Sequence, residues 1–241
     1  MDPNEIIKHV PDLMKGGAAL AGALKFTDII KTMLGPAADE LADLWKDQVR
    51  LYRFERQLKC VEKAERMAQE AGFTPQAVPP KILFPLLEGA SFEEDENLHT
   101  MWSALLANAS SPENAENVRP GFIAVLRQMA PDEASIVNWL YDHTDAWSRF
   151  HGIPAMKLSQ ARDELGFSDK ERVERTLPLA QRFASCLDGL EAEQLIRRAY
   201  LENSDGRAEP KKDESFMRFS YLVTRRGEEF MAACRPPKPK S

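Results

Sequence analysis

The chain has 241 residues, of which 43% are hydrophobic and 29% are charged, with 12 Gly and 16 Pro. This composition is typical of a globular protein and excludes wholesale disorder and a collagen-like repeat. The net charge is −6 and the isoelectric point is near 5.4. An acidic chain excludes a uniformly basic nucleic-acid-binding coat, although it leaves room for a local basic face.

Cysteine usage indicates a reducing compartment. The three cysteines, Cys60, Cys186 and Cys234, lie far apart in the chain, and no CxxC pair occurs. Neither a disulfide scaffold nor a thiolate zinc site is therefore indicated. We expect the protein to be cytoplasmic, with association to a membrane on activation as an alternative.

Residues 1–35 are predicted to form an amphipathic N-terminal segment. Between residues 6 and 34 the apolar side chains fall near helical spacing, with four lysines among them. The apolar stretch at 16–24 is about half of the roughly 20 residues that a membrane span needs. Acidic residues oppose the positive charge of a signal peptide. We expect this segment to pack on its own domain or on a partner subunit, with a membrane surface as the alternative.

The helical pattern continues after residue 36. Residues 37–71 are predicted to form one long helix, because apolar side chains recur at intervals of three and four residues. Gly72 occupies the position expected of a C-terminal helix cap. Pro79 and Pro80 favour the start of a short helix over 81–88.

Further helices are predicted before residue 131. The helix over 81–88 is expected to bend or end near Pro85. Ser91 and Glu94 have the spacing of a capping box, which predicts that the next helix begins at Ser91. We expect that helix to end near Asn108, with Trp102 on its apolar, core-facing side. Another short helix is predicted over 122–129.

From residue 131 the order of elements changes. The sequence predicts three helices, then two strands joined by a long polar tip, then a last helix capped by Thr224. The three predicted helices are 131–144, 156–167 and 168–187, the last of them kinked or restarted at Pro178. The predicted strands are 195–202 and 216–223, and the last helix is 225–234. This order is expected of a winged helix-turn-helix module.

The fold class is thus mainly α, with a helical N-terminal half followed by a winged-helix-like domain with one β-hairpin. The predicted domains are the N-terminal segment 1–35, a helical domain 36–130, the winged-helix-like domain 131–234 and a disordered tail 235–241.

Catalytic and metal-binding signatures are sparse. GxSxG, P-loop and Gly-rich dinucleotide motifs do not occur in the sequence. Glu96 and His99 form one E-x-x-H motif, but a carboxylate-bridged di-metal bundle needs two such motifs and two more glutamates. Cys60 stands near Lys59 and Lys63, which lower a thiol pKa when they are close. No base of known position accompanies it, so we expect an inert cysteine, no cofactor, no metal and no assigned catalytic residue.

The predicted hairpin carries the strongest basic character. From Arg197 onward the sequence has 11 basic and 7 acidic residues, an excess of four positive charges. The candidates for contacting nucleic-acid phosphates or a protein partner are Arg197, Arg198, Lys211, Lys212, Arg218, Arg225 and Arg226. Arg182 is a further candidate if the third helix of this domain is a recognition helix. Acidic residues in that helix and the acidic chain as a whole weaken the nucleic-acid alternative.

Four stretches taken together carry a family resemblance. They are LYRFERQLKCVEKAERMAQEAGF, VPPKILFPLLEGASFEEDENLHTMWSALLANAS, FIAVLRQMAPDEASIVNWL and YLVTRRGEEFMAAC. In order and spacing they resemble the bacterial abortive infection alpha family, over about residues 37–234. The resemblance implies a role in defence against bacteriophage, in which an infected cell stops growing or dies before the phage matures. It brings no known reaction, cofactor or catalytic residue.

The positions that match the family's motifs are expected to determine the fold. They are Pro79, Pro80, Lys81, Trp102 and Asn108, with Asn108 expected as a C-terminal helix cap. The leading hypothesis is a phage-defence protein that acts by binding a phage or host protein rather than by catalysis. The alternatives are a nucleic-acid-binding regulator and a membrane-active effector that uses residues 6–34. Oligomerisation is a further alternative for the long helix.

Overall fold

A computed structural model describes residues 51–143, 153, 155–168, 173–200 and 219–239. These residues form eight α-helices, a short 3₁₀ turn at Ala115–Asn117 and one antiparallel hairpin. The helices are α1 (Leu51–Glu70), α2 (Pro80–Phe92), α3 (Glu96–Ala109), α4 (Pro120–Gln128), α5 (Pro131–Asp142), α6 (Ala155–Glu164), α7 (Val173–Ala192) and α8 (Arg225–Ala233), and the strands are β1 (Ile196–Tyr200) and β2 (Phe219–Val223). The described part of the chain is therefore mainly helical.

The described residues divide into two compact units. The first takes in residues 51–128 and 232–239, and the second takes in those between 129 and 231. In the first unit α3 packs against α1 and α2, and α4 packs on α2. In the second unit α7 packs on α5 and on β1.

Two predicted helix ends depend on glycine in a left-handed conformation. Gly72 follows α1 with φ of +78°, and Gly166 follows α6 with φ of +79°. After α1, the Phe73 N–H donates to the Ala68 carbonyl at 3.1 Å, which is the closing bond of a Schellman motif. The predicted ends at Gly72 and Gly166 are confirmed, while residues 37–50 of the predicted long helix lie outside the described residues.

The start of α2 follows from its two prolines. Pro79 occupies the N-cap position and Pro80 is the first helical residue, where a missing N–H costs nothing. The helix does not end near Pro85. It continues through Pro85 to Phe92. Lys81 lies in the first turn of α2 and its side chain is exposed.

The predicted capping box at Ser91 is wrong. Ser91 lies inside α2, fully buried, and its hydroxyl donates to the Glu88 carbonyl at 2.7 Å. The N-cap of α3 is Asp95, whose Oδ1 accepts from the N–H groups of Asn97 and Leu98 at 3.0 and 2.9 Å. A carboxylate at this position also complements the helix dipole, so Asp95 is the better cap.

Helix α3 forms the centre of the first unit. Eleven of its fourteen residues are buried, and Trp102 is 1% exposed, which confirms its predicted place in the core. Gly89 of α2 allows the close approach of the indole, because a Cβ at Gly89 would lie 2.5 Å from Cη2 of Trp102. A larger residue at Gly89 would therefore force the two helices apart or shift the indole.

The prediction that Asn108 caps a helix is wrong. The helix ends at Ala109 with Ser110 as its C-cap, and the Asn108 side chain is buried. Its Nδ2 donates to the Ala233 and Arg235 carbonyls at 3.0 and 2.8 Å, and also to the Ala104 carbonyl at 3.0 Å. Asn108 thus attaches Ala233 and Arg235 to α3, because an amide offers donors that an apolar helix face lacks.

The segment predicted to be a disordered tail has contacts in its described part. Arg235 accepts the hydrogen bond from Asn108, and Pro237 is buried. Residues 240 and 241 lie outside the described residues.

In the second unit the predicted helices are present. The Glu133 Oε2 accepts from the Ala130 N–H at 2.8 Å, which caps the start of α5 at Pro131. Helix α7 continues through Pro178 without a restart. Thr224 caps α8 as predicted, since its Oγ1 accepts from the Gly227 N–H at 2.9 Å.

The predicted hairpin is also present. Strands β1 and β2 pair antiparallel, from Ile196 opposite Val223 to Tyr200 opposite Phe219. Ile153 adds an isolated antiparallel bridge to β2, where its N–H donates to the Tyr221 carbonyl at 2.6 Å. The long tip predicted between the strands lies outside the described residues.

Asn108→Ala is expected to lower the free energy of unfolding by about 2–3 kcal/mol, because the Ala233 and Arg235 carbonyls lose the amide donor that they share with the Ala104 carbonyl. Asn114→Ala is the matched control, since Asn114 Nδ2 donates only to Asn108 Oδ1 in this network, at 2.9 Å. We expect Asn114→Ala to lower the free energy of unfolding by about 1 kcal/mol. Urea unfolding followed by circular dichroism measures both, and equal losses would contradict the role given to Asn108.

Candidate functional site

A cluster of polar side chains lies between α1 and α3, and we call it the α1–α3 polar cluster. Its members are Arg56, Cys60 and Lys63 of α1 and Glu96, His99 and Ser103 of α3. The three α1 residues follow one another at spacings of four and three, so they share one face of that helix.

Glu96 is the anionic centre of this cluster. Its two carboxylate oxygens accept from Arg56 at 3.1 Å and from Lys63 at 2.8 Å. These hydrogen bonds, first from Lys63 and then from Arg56, lower the pKa of Glu96 to about 2. The Glu96 side chain is 65% exposed, whereas that of Arg56 is 9% exposed, so the carboxylate closes the cluster at its solvent side.

His99 is fully buried beneath this ion pair. Its Nδ1 lies 3.4 Å from the Lys63 Nζ, and its Nε2 lies 3.0 Å from the Arg56 carbonyl. An ammonium donates and a carbonyl accepts, so these partners assign the proton to Nε2. Burial is the main cause of the lowered pKa of His99, and the nearby positive charges of Arg56 and Lys63 act in the same direction. His99 is therefore neutral at pH 7.

Cys60 does not have the activated thiol that nearby lysines would favour. Burial raises its pKa to about 12, although a hydrogen bond with Ser103 and the charges of Lys63 and Arg56 act in the opposite direction. Desolvation of the thiolate outweighs those effects, so Cys60 is a protonated core residue at pH 7. Cys186 and Cys234 are also buried free thiols with raised pKa values.

The contacts of the α1–α3 polar cluster hold α1 and α3 together. Arg56 also donates to the Glu93 carbonyl, and Lys63 lies 3.4 Å from the Thr100 hydroxyl. Among the described residues no three His, Cys, Asp or Glu side chains are grouped so that they could hold a metal ion, and this includes the Glu96–His99 motif. The sequence indicated Cys60, Lys63, Glu96 and His99, but Arg56 and Ser103 were missed. The contacts that all six share depend on how α1 packs on α3.

A second feature of the first unit is a groove at the end of α2, which we call the Phe92 groove. It has a volume of about 330 Å³ and is lined by Glu88, Gly89, Phe92, Glu93, Trp102 and Arg127. Arg127 pairs with Glu88 and donates to the Pro85 carbonyl at 3.2 Å. The indole N–H of Trp102 is buried and has no hydrogen-bond partner among the described residues.

Phe92 is the exposed aromatic of this groove. It is 62% exposed, and among the described residues it is the large hydrophobic side chain that stands out to solvent. The guanidinium of Arg53 lies 4.0 Å from the centre of its ring, in cation–π geometry. Sequence analysis missed this pair. The available signal was a phenylalanine at a helix end beside two acidic residues.

The basic candidates of the second unit differ in their surroundings. Arg198 pairs with Asp188 and Glu191, and Arg225 pairs with Glu229 at 3.0 Å. Arg182 pairs with Asp132. Arg197 and Arg226 are exposed.

Several predictions concern residues outside the described ranges. Lys211, Lys212 and Arg218 of the hairpin are among them, as is the amphipathic segment 6–34. Within the described ranges, no helix combines the length and the apolar character that crossing a bilayer requires.

Comparison with known proteins gives one family match. The model of a family described as abortive infection alpha matches residues 48–234. No curated protein and no solved structure matches the chain. The family match includes the α1–α3 polar cluster and the Phe92 groove.

Glu96→Gln tests the electrostatics of the cluster. At pH 7 we expect it to lower the free energy of unfolding by less than about 1 kcal/mol, because Glu96 is mostly exposed. A lowered pKa means that the carboxylate stabilises the fold above its ordinary pKa of 4.5 and loses this effect as the pH falls towards 2. In urea unfolding, the difference between the variant and the unchanged protein should shrink over that range. A difference independent of pH would contradict this account.

Proposed function

The chain belongs to the abortive infection alpha family, and we propose that it protects bacteria from phage by binding a phage or host protein rather than by catalysing a reaction. The family supports the role in abortive infection. The proposal for binding comes from the residues of the first unit. The buried cysteines fit a reducing, cytoplasmic setting.

The observation that carries the proposal is the exposed Phe92 with Arg53 stacked on its ring. Aromatic and arginine side chains supply a large share of the energy at protein–protein interfaces. Phe92 is also one wall of a groove, so a partner's apolar side chain can contact both the ring and the groove beside it. Exposure of an aromatic side chain next to a concave surface favours binding.

Cys60 and His99 are of residue types that are common in active sites, but their environment in this protein supports the binding proposal. Cys60 and His99 are both fully buried, and both have hydrogen-bond partners within the protein. A thiol with a pKa of about 12 is a poor nucleophile at pH 7. These two side chains contribute to the packing of α1 on α3.

We further propose a winged-helix-like domain over residues 131–234. Three helices, a hairpin and a last helix occur in that order. The bridge from Ile153 to Tyr221 supports the proposal, because it adds a short strand between the first and second helices to the hairpin. Modules of this order bind nucleic acid or protein, so the fold by itself does not select a partner.

A nucleic-acid-binding regulator is the second candidate function. It is favoured by Arg197 and Arg226, which are exposed and have no ionic partner among the described residues. It is disfavoured by Arg198, Arg225 and Arg182, each of which pairs with a neighbouring carboxylate. The membrane-active alternative depends on residues 6–34, and cell fractionation with and without that segment tests it.

Phage protection measured as efficiency of plating tests the leading proposal. Phe92→Ser should abolish most of the protection, because it removes the aromatic contact surface, whereas Phe92→Tyr should retain it since the ring remains. Both proteins are expected to unfold within about 1 kcal/mol of the unchanged protein, because Phe92 is mostly exposed. Full protection by Phe92→Ser at equal protein level would refute binding through this surface.

The second candidate predicts binding to a labelled DNA duplex that weakens steeply between 50 and 200 mM salt, as seen by fluorescence anisotropy. Replacing Arg197 and Arg226 together by Ser should then reduce affinity at least tenfold. The matched control replaces Arg66 and Arg119, which are exposed in the first unit, and makes the same change in net charge. Equal effects of the two double variants would indicate nonspecific attraction only.

A further inference from the structure

The charged side chains that line the Phe92 groove leave one carboxylate without a cation. Glu88 pairs with Arg127, so these two charges compensate each other. Glu93 also lines the groove. Its Oε1 accepts from the Asp95 N–H at 3.0 Å, and no basic side chain among the described residues pairs with it. The groove therefore offers an acceptor for a positive charge at Glu93.

The ring of Phe92 offers an aromatic surface beside this carboxylate. Arg53 covers one face, since its guanidinium lies 4.0 Å from the ring centre and its Nε donates to the Ser91 hydroxyl at 3.2 Å. Phe92 is nevertheless 62% exposed, so much of the ring is open to a partner. Aromatic rings attract cations, and the aliphatic stem of a lysine or arginine packs well on an apolar surface.

The segment that carries Phe92 is acidic. Residues 88–96 have five acidic side chains and no basic one. The basic side chains that bond or stack with this segment are Arg53, Arg56, Lys63 and Arg127. The segment thus keeps an excess of negative charge, in a protein whose net charge is −6. Such a surface attracts a basic partner and repels both nucleic-acid phosphates and a second copy of the same acidic chain.

We propose that the Phe92 groove binds a protein segment in which a lysine or arginine stands next to an apolar residue. The apolar side chain lies in the groove against Phe92 and Trp102, and the basic side chain pairs with Glu93. The groove volume of about 330 Å³ is near the low end for ligand pockets, roughly 300–1,000 Å³, and suits one or two side chains. The proposal rests on the proposed function, because it names the chemistry of the partner at the same surface.

Binding of three capped dipeptides to the full chain tests this chemistry: leucyl-arginine, leucyl-glutamine and leucyl-glutamate. Heteronuclear NMR follows the indole N–H of Trp102, which lines the groove and is assigned with Trp102→Phe. The indole N–H of Trp139 donates to Glu164 at 2.7 Å in the second unit and serves as the signal that should not move. We expect leucyl-arginine to bind at least about threefold tighter than leucyl-glutamate, with leucyl-glutamine between them.

Glu93→Gln isolates the contribution of the charge. Glutamine keeps an oxygen that can accept from the Asp95 N–H, so the end of α2 should stay folded. We expect this variant to reduce the preference for leucyl-arginine over leucyl-glutamate by about half or more. The matched control is Glu116→Gln, which makes the same change in net charge at an exposed residue that does not line the groove. It should leave the preference unchanged.

Each outcome decides the proposal. Equal affinities of the three dipeptides, the absence of any Trp102 shift, or tighter binding of leucyl-glutamate overturns it. Equal effects of Glu93→Gln and Glu116→Gln also overturn it. A Trp102 signal that shifts when the protein alone is diluted assigns the groove to a second copy of the chain, which contradicts the proposal.

The dipeptide measurement needs no phage, so it separates this proposal from the proposed function. Loss of phage protection in Phe92→Ser without any preference among the dipeptides would reject the basic partner and keep the proposed function. A clear preference for leucyl-arginine together with full protection by Phe92→Ser would support the groove chemistry and refute the proposed function.

Discussion

The burial of α3 is the constraint on which the first unit depends. A helix with eleven of fourteen residues buried has almost no side open to water, so the buried polar side chains of His99, Ser103 and Asn108 need partners inside the protein. His99 Nε2 lies 3.0 Å from the Arg56 carbonyl, Ser103 donates to the His99 carbonyl at 2.8 Å, and Asn108 donates to the Ala233 carbonyl. The bonds of His99 and Asn108 join α3 to other segments, whereas the bond of Ser103 lies within α3 itself.

Charged side chains next to the packed helices are also paired. Charges at the edge of a packed face, such as Arg56 and Lys63, pair with Glu96 because an unpaired charge there would be costly. On the hairpin, Arg198 pairs with acidic side chains of α7, which leaves fewer free positive charges than the sequence count indicates. The excess of four positive charges after Arg197 thus overstates the attraction for polyanions. In the Phe92 groove Arg127 likewise pairs with Glu88, but the Phe92 ring remains 62% exposed. This exposed aromatic surface is why the groove is the better place to look for a partner.

The sequence predicted the elements well where the determinant is local. Gly72 and Gly166 end helices because they adopt a positive φ, Pro80 begins a helix, and Thr224 caps one. The prediction from the sequence failed where two nearby residues could each cap the same helix. Ser91 and Asp95 are both good caps, and only the packing of α2 against its neighbours buries Ser91 and leaves Asp95 to begin α3. Asn108 was misjudged for a related reason, since its partners are 125 and 127 residues away in the sequence.

The sequence by itself determined the helical class, the hairpin, the core position of Trp102 and the family, because periodicity, turn residues and motif spacing are encoded locally. Only the tertiary structure decided which polar residues meet. It brought Glu96 to Arg56 and Lys63, buried the thiol of Cys60 and placed Arg53 on the ring of Phe92. Such contacts join residues some 40 positions apart, and the free energy that selects them is that of burying whole helix faces. No window of the sequence contains that information.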